Sequence, residues 1–284
     1  MASTVLKGDE LLCFNSNKTA SLNDFQGDRN VIIIHGFTSS AEYMWELSSN
    51  LSNNNFNVFQ FNYNSYRGIE KAASSLLEIL NELNSLSDGV IEEKGIALVC
   101  HSMGGLVGRA FVQLCNGGNY VKAIVTLGSP HDGTLQSSEL VDALIKWGEF
   151  ISTAMPYFTP ECNSAMELTG GDKRKIIQKM NEEISELEKV RVLSISGGKP
   201  YLTFNNRIAQ YLINKKIQEV FDGSKNDGLV CESSSDFTLN GKGLNSHTEH
   251  FNSYTDYDNL NHSFITKNHI VSLKICSWLK EAIE

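Results

Sequence analysis

Apolar residues in this chain fall into short continuous runs separated by stretches of helical spacing. Ile96-Ala97-Leu98-Val99-Cys100 is one such run, short enough to be a single buried strand. It breaks at His101-Ser102-Met103-Gly104-Gly105. Apolar positions then resume at Leu106, Val107, Ala110, Phe111 and Leu114, as on a helix. Asn30-Val31-Ile32-Ile33-Ile34-His35-Gly36-Phe37 has the β-branched density of a strand buried on both faces. Residues 57–63, 121–130 and 190–198 read as further strands. Helices are predicted over about 41–51 and from Ile69 to about Asp88-Gly89, with Ala72, Ala73, Leu76, Ile79, Leu80 and Leu83 on one face. The last 15 residues form another, with Val271, Ile275, Trp278 and Ala282 on one face. Residues 1–29 are polar, with a short hairpin suggested at Leu11-Leu12-Cys13-Phe14. Strands alternating with helices predict an α/β fold: a mostly parallel sheet covered by helices, joined by right-handed crossovers, in one domain spanning 1–284.

One segment departs from the alternation. Over about 135–189, Leu140, Leu144, Trp147 and Ile151 line one helical face, while Asp142, Lys146 and Glu149 line the other. A second helix, apolar at Ile176, Ile177, Met180, Ile184 and Leu187, returns the chain to the sheet. The segment reads either as a permanent cover over the sheet edge or as a movable lid whose apolar face lines an acyl pocket.

Composition narrows the class. In 284 residues, 41% hydrophobic and 20% charged is ordinary for a globular protein. A net charge of −9 argues against a nucleic-acid backbone as partner. No window has the ~18 uninterrupted apolar residues of a membrane-spanning helix. The start, from Met1 to Gly8, lacks a basic-then-apolar signal, so the expected location is the cytoplasm unless a leader has been removed. Six cysteines are too sparse for a disulfide scaffold and contain no CxxC pair, so reduced thiols are expected, with Cys162 and Cys231 the one pair worth checking.

A serine on the turn between a buried strand and a helix is a nucleophile elbow, which makes Ser102 the candidate nucleophile. A serine hydroxyl needs a histidine base and a carboxylate to orient that base, in the chain order serine, acid, histidine. Asp227, between Asn226 and Gly228, sits in a tight turn suited to presenting a carboxylate; Asp222 and Asp236 are alternatives. His262, in Asn261-His262-Ser263 just before the last helix, is the favoured base over His269. His247 and His250 lie in a polar stretch and read as solvated, while His131 follows a strand end and reads as a pocket residue. The oxyanion of a tetrahedral intermediate needs two N–H donors, and Met103 and Phe37 are placed for them. Losing one such donor costs about 3 kcal/mol of transition-state stabilisation. His101 reads as support for the elbow.

Taken together, His35-Gly36-Phe37, His101-Ser102-Met103-Gly104-Gly105, Gly128-Ser129-Pro130-His131, Asn226-Asp227-Gly228-Leu229-Val230 and Asn261-His262 resemble α/β-hydrolase fold lipases, particularly bacterial triacylglycerol lipases. The resemblance spans roughly 30–280. It implies a triad of Ser102, Asp227 and His262, oxyanion donors at Phe37 and Met103, and a lid at 135–165. Three departures stand out. Cys100 replaces the first glycine of the serine pentapeptide, and 35 residues separate Asp227 from His262, more than the pattern requires. Ser263 stands where those lipases carry a calcium-binding Asp, so no metal or cofactor is expected. The implied activity is hydrolysis of acyl esters, with a lipid substrate and a transient contact with a lipid interface. A thioesterase or acyltransferase on the same triad is the alternative, and a non-catalytic relative is a third reading.

Overall fold

The computed structural model describes residues 8–25, 27–134, 163–169, 175–203, 207–237, 246–251 and 260–283. In chain order these form β1 (Glu10–Cys13), β2 (Lys18–Thr19), β3 (Asn30–Ile34), α1 (Trp45–Asn53), β4 (Asn57–Asn62), α2 (Ile69–Leu86), α3 (Val90–Lys94), β5 (Ile96–His101), α4 (Met103–Gln113) and β6 (Val121–Leu127). After them come α5 (Asn163–Thr169), α6 (Lys175–Glu182), β7 (Arg191–Gly197), α7 (Arg207–Phe221), α8 (Glu232–Ser235), β8 (Ser246–Phe251) and α9 (His269–Ile283). The strands make one sheet in the order β2-β1-β4-β3-β5-β6-β7-β8. Every pair from β4 across to β8 is parallel, and the antiparallel hairpin β1-β2 finishes one margin.

Strand periodicity explains the two cores. Along β3, Val31 and Ile33 face one side and pack with Leu47 and Leu51 of α1 and with Val271, Ile275 and Leu279 of α9. Ile32 and Ile34 face the other side, among Leu76 and Leu80 of α2 and Leu106 and Phe111 of α4. Both faces of the strand are buried, as its unbroken apolar run requires. Leu168 of α5 and Ile177 and Met180 of α6 join the second core, so the described part of the 135–189 segment is built into the body of the protein. The amphipathic stretch bearing Leu140, Leu144, Trp147 and Ile151 lies outside the described residues.

Several elements have no counterpart in the sequence reading, α7 and β8 among them. In α7, Ile213, Ile217 and Phe221 recur at four-residue steps and form a small separate core with Leu202. The residues Ser246-His247-Thr248-Glu249-His250-Phe251, five of them polar, form β8, paired in parallel with β7 from Val192 to Gly197. A strand at a sheet margin is held by backbone hydrogen bonds, so it needs no apolar alternation to announce it. His247 and His250, read as solvated, therefore belong to a strand.

Candidate active site

The chain leaves β3 for β4 on one side and then crosses back to lay β5 on β3's other side. Ligands of doubly wound sheets bind where the strand order reverses in this way, beyond the carboxyl ends of the strands. The segments emerging there are His35-Gly36-Phe37 after β3 and Ser102 after β5. Ser102 has φ +54 and ψ −126, backbone angles that a non-glycine residue adopts only when its surroundings impose them. Its N–H donates to the Leu127 carbonyl of β6 (2.9 Å), and α4 begins at the next residue. A side chain at Gly104 would overlap the Ile34 and His35 carbonyls, so its absence lets α4 start directly against the end of β3. On the strand side, the buried Cys100 thiol lies over Gly108, where a Cβ would come within 3.0 Å of the sulfur. The extra volume at the first pentapeptide position is therefore taken up on the helix.

Asp227 and His262 reach Ser102 from loops. Asp227 lies in the loop between α7 and α8, and β8 falls in the 35-residue span between it and His262. Each residue follows an asparagine that builds its turn. Asn226 Oδ1 accepts the Gly228 N–H (2.9 Å), and Asn261 Oδ1 accepts those of Ser263 (3.1 Å) and Phe264 (2.9 Å). The His262 N–H donates to the Asp227 carbonyl (2.8 Å), joining the two loops through their backbones. Asp227 is buried, and its Oδ1 accepts the N–H groups of Leu229 (3.0 Å) and Val230 (2.8 Å). That leaves Oδ2 for His262 Nδ1 at 2.8 Å. Facing a carboxylate, Nδ1 must carry the proton, so neutral His262 presents a lone pair at Nε2 to the Ser102 hydroxyl, 2.9 Å away. Gly128, at φ +55, leaves room for this pair: a Cβ there would sit 2.7 Å from Asp227 Oδ2.

Other histidines surround the relay without joining it. His101 Nε2–H donates to the His262 carbonyl (2.9 Å), and burial pushes its pKa down to about 3, with the neighbouring His262 adding to the shift. His35 stacks on Tyr63 at 4.3 Å, and burial pushes it down to about 4. Both are held neutral. His131 is buried behind the site, its ring edge-on to Phe237 and Nε2 3.2 Å from Thr126 Oγ1. Burial, followed by the Arg109 charge, lowers its pKa. His269 is exposed at the start of α9, Asp222 is exposed beyond α7, and Asp236 follows α8 as its C-cap.

Phe37 adjoins Gly36, whose Cβ position lies 2.9 Å from Ser102 Cβ, and its ring meets Tyr66 edge-on at 5.4 Å. Met103 is the first residue of α4. Tyr43, not singled out in the sequence, ties the turn after β3 to the histidine loop by donating its hydroxyl to the Ser263 carbonyl (2.8 Å). Among the described residues no cluster of His, Cys, Asp or Glu is arranged to hold a metal ion. Cys13, Cys100, Cys115, Cys231 and Cys276 are free thiols, and Cys162 lies outside the described residues. No described helix is long and apolar enough to cross a membrane.

Comparison with known proteins bears on this geometry. The family model for palmitoyl protein thioesterase matches residues 30–180. The protein described as lysosomal thioesterase PPT2 homolog of Drosophila melanogaster is 30% identical over 113 residues, 39% of this chain and 38% of that protein, so the match spans well under half of that relative. The mature form of the Bacillus licheniformis lipase BlEst2 superposes with a TM-score of 0.66 at 16% identity, covering 88% of this chain and 91% of that one. The metagenomic carboxyl esterase MGS0156 gives 0.58 at 14% identity, covering 90% and 76%. At such identities the structural likeness establishes the fold, which is the α/β-hydrolase fold of lipases and esterases.

Proposed function

The chain belongs to the palmitoyl protein thioesterase family, and from that premise we propose that it is a serine acyl hydrolase cleaving long-chain acyl thioesters. Ser102 is the nucleophile, His262 the general base and acid, and Asp227 the group that orients His262. In acylation the Ser102 oxygen bonds to the acyl carbon while its proton passes to His262 Nε2. The negative charge formed on the carbonyl oxygen is taken up by the N–H groups of Phe37 and Met103. The C–S bond then breaks, and His262 returns the proton to the departing thiol. Water attacks the acyl-enzyme by the same route in reverse, releasing the fatty acid and restoring the serine hydroxyl. Asp227 keeps the proton of His262 on Nδ1 throughout, so Nε2 always faces the serine.

The observation that carries this reading is the unbroken relay of 2.9 Å and 2.8 Å from Ser102 through His262 to a buried carboxylate. The helical spacing of apolar Leu140, Leu144, Trp147 and Ile151 in the sequence suits a cap over a long acyl chain, and that role is assigned to the 135–165 part of the insertion within a single domain. The same acyl-enzyme serves oxygen esters, and the lipase-like fold favours them as a second substrate class. Hydrolysis of palmitoyl thioesters and palmitoyl oxygen esters of matched leaving-group pKa, measured side by side, separates the two. The expected outcome is a higher kcat/KM for the thioester and abolition of both activities by Ser102→Ala with the fold intact. Turnover retained in Ser102→Ala would remove the nucleophile assignment.

A further inference from the structure

The second oxyanion donor sits on a segment that nothing in its own sequence rigidifies. Thr38, directly after Phe37, has φ +54. Left-handed backbone suits glycine or asparagine, and in a β-branched residue it persists only when neighbours impose it. The stretch between β4 and α2 supplies such neighbours. Tyr63 donates its hydroxyl to the His35 carbonyl (2.8 Å), Tyr66 meets the Phe37 ring, and the buried Ser65 Oγ accepts the Thr38 N–H (3.1 Å). Residues 63–66 thus touch His35, Phe37 and Thr38. The far end of the same stretch is also fixed: the Gly68 N–H donates to Ser164 Oγ (3.0 Å) and the Ile69 N–H to Glu167 Oε2 (2.8 Å), both on α5.

We propose that Ser65 is a positioning residue for the oxyanion site: by accepting the Thr38 N–H it fixes the 37–38 peptide, which restrains rotation at Phe37 and so the direction of the Phe37 N–H carried by the adjoining 36–37 peptide. This rests on the assignment of Phe37 as an oxyanion donor. Ser65 touches no substrate. It acts through a strained neighbour, so its loss lets Thr38 relax towards ordinary angles and turns the Phe37 peptide away.

The test uses three variants of the full chain and two readouts. Ser65→Ala is expected to lower kcat about tenfold with KM unchanged, because a displaced donor loses part of what a deleted one would. Affinity for a trifluoromethyl ketone, whose tetrahedral adduct presents an oxyanion, should fall by a similar factor. Ser65→Thr keeps the hydroxyl and should hold both values near wild type; it also serves if the alanine variant fails to fold. Thr38→Asn in the Ser65→Ala background should recover most of the loss, since asparagine tolerates φ +54 without a clamp. Wild-type kcat and ketone affinity in Ser65→Ala would overturn the proposal, as would failure of Thr38→Asn to rescue it. If Ser102→Ala abolishes turnover while Ser65→Ala changes nothing, the Phe37–Ser65 inference falls and the serine hydrolase reading stands; if Ser102→Ala keeps its activity, the serine hydrolase reading falls.

Discussion

Ser102 and the Asp227–His262 pair meet at one point but are held there by different physics. Ser102 hangs from β5, between β3 and β6, where strand pairing and two apolar cores fix the backbone before any polar group takes part. The missing side chain at Gly104 completes that arrangement by contact alone. Asp227 and His262 stand on loops whose conformation is written in hydrogen bonds: two asparagine-built turns, a backbone bond between the loops and paired N–H groups on the carboxylate. Packing is costly to disturb and failure spreads through the core. A hydrogen-bonded loop can lose its chemistry while the fold survives.

The sharpest way to break this contrast is Asp227→Asn. The asparagine can still accept the Leu229 and Val230 N–H groups, so the loop should keep its shape. Its amide nitrogen would face His262 Nδ1 and force the proton onto Nε2, where it blocks acceptance from Ser102. Turnover should fall on the order of 10⁴-fold, with Tm close to wild type in a thermal scan. A rate near wild type would move the acid to Asp222 or Asp236.

Gly104→Ala should show the opposite signature. The added Cβ overlaps the Ile34 and His35 carbonyls, which are backbone and cannot move aside cheaply. Stability should fall by about 3 kcal/mol in urea unfolding, with activity lost in step. An unchanged urea midpoint would mean that α4 does not abut β3 as described.

The smallest effect per residue is a pH dependence to which the buried histidines on the nucleophile side contribute. His35 and His101 have folded-state pKa values depressed by burial to about 4 and about 3. The unfolded chain, near 6.5, binds protons that the folded state refuses. Their contribution to stability is therefore complete above pH 6.5 and is lost as pH falls below it, by about 2 kcal/mol each at pH 5. Urea midpoints at pH 7.5 and 5.0 should differ accordingly, and replacing His101 with Gln should shrink the difference. A flat profile would contradict the burial of both rings.

What the sequence disclosed follows the same division. Strands β3 and β5 were legible as continuous apolar runs, as burial on both faces requires; β4, β6 and β7 were legible as apolar runs broken by one or two polar residues; and Ser102 was legible because it ends such a run beside glycines. Asp227 and His262 could be chosen as candidates from turn residues and chain order, and the structure brings the two side chains together. Strand β8 escaped because marginal backbone pairing leaves no apolar trace, while α7 carried a four-residue repeat that went unread. Ser65 and Tyr43 act through contacts 27 and 220 residues away along the chain, and no local pattern signals a partner so distant.

The margins of the sheet carry one more consequence. At one end of the described sheet lies the two-residue β2, and at the other β8, whose sequence Ser-His-Thr-Glu-His-Phe has a single apolar residue. Unpaired strand edges are templates on which another chain can add, and the hazard grows with length, flatness and hydrophobicity. Neither margin offers a long apolar template. Among the described residues, edge-to-edge addition of a second chain is thus disfavoured at both margins by sequence and length alone.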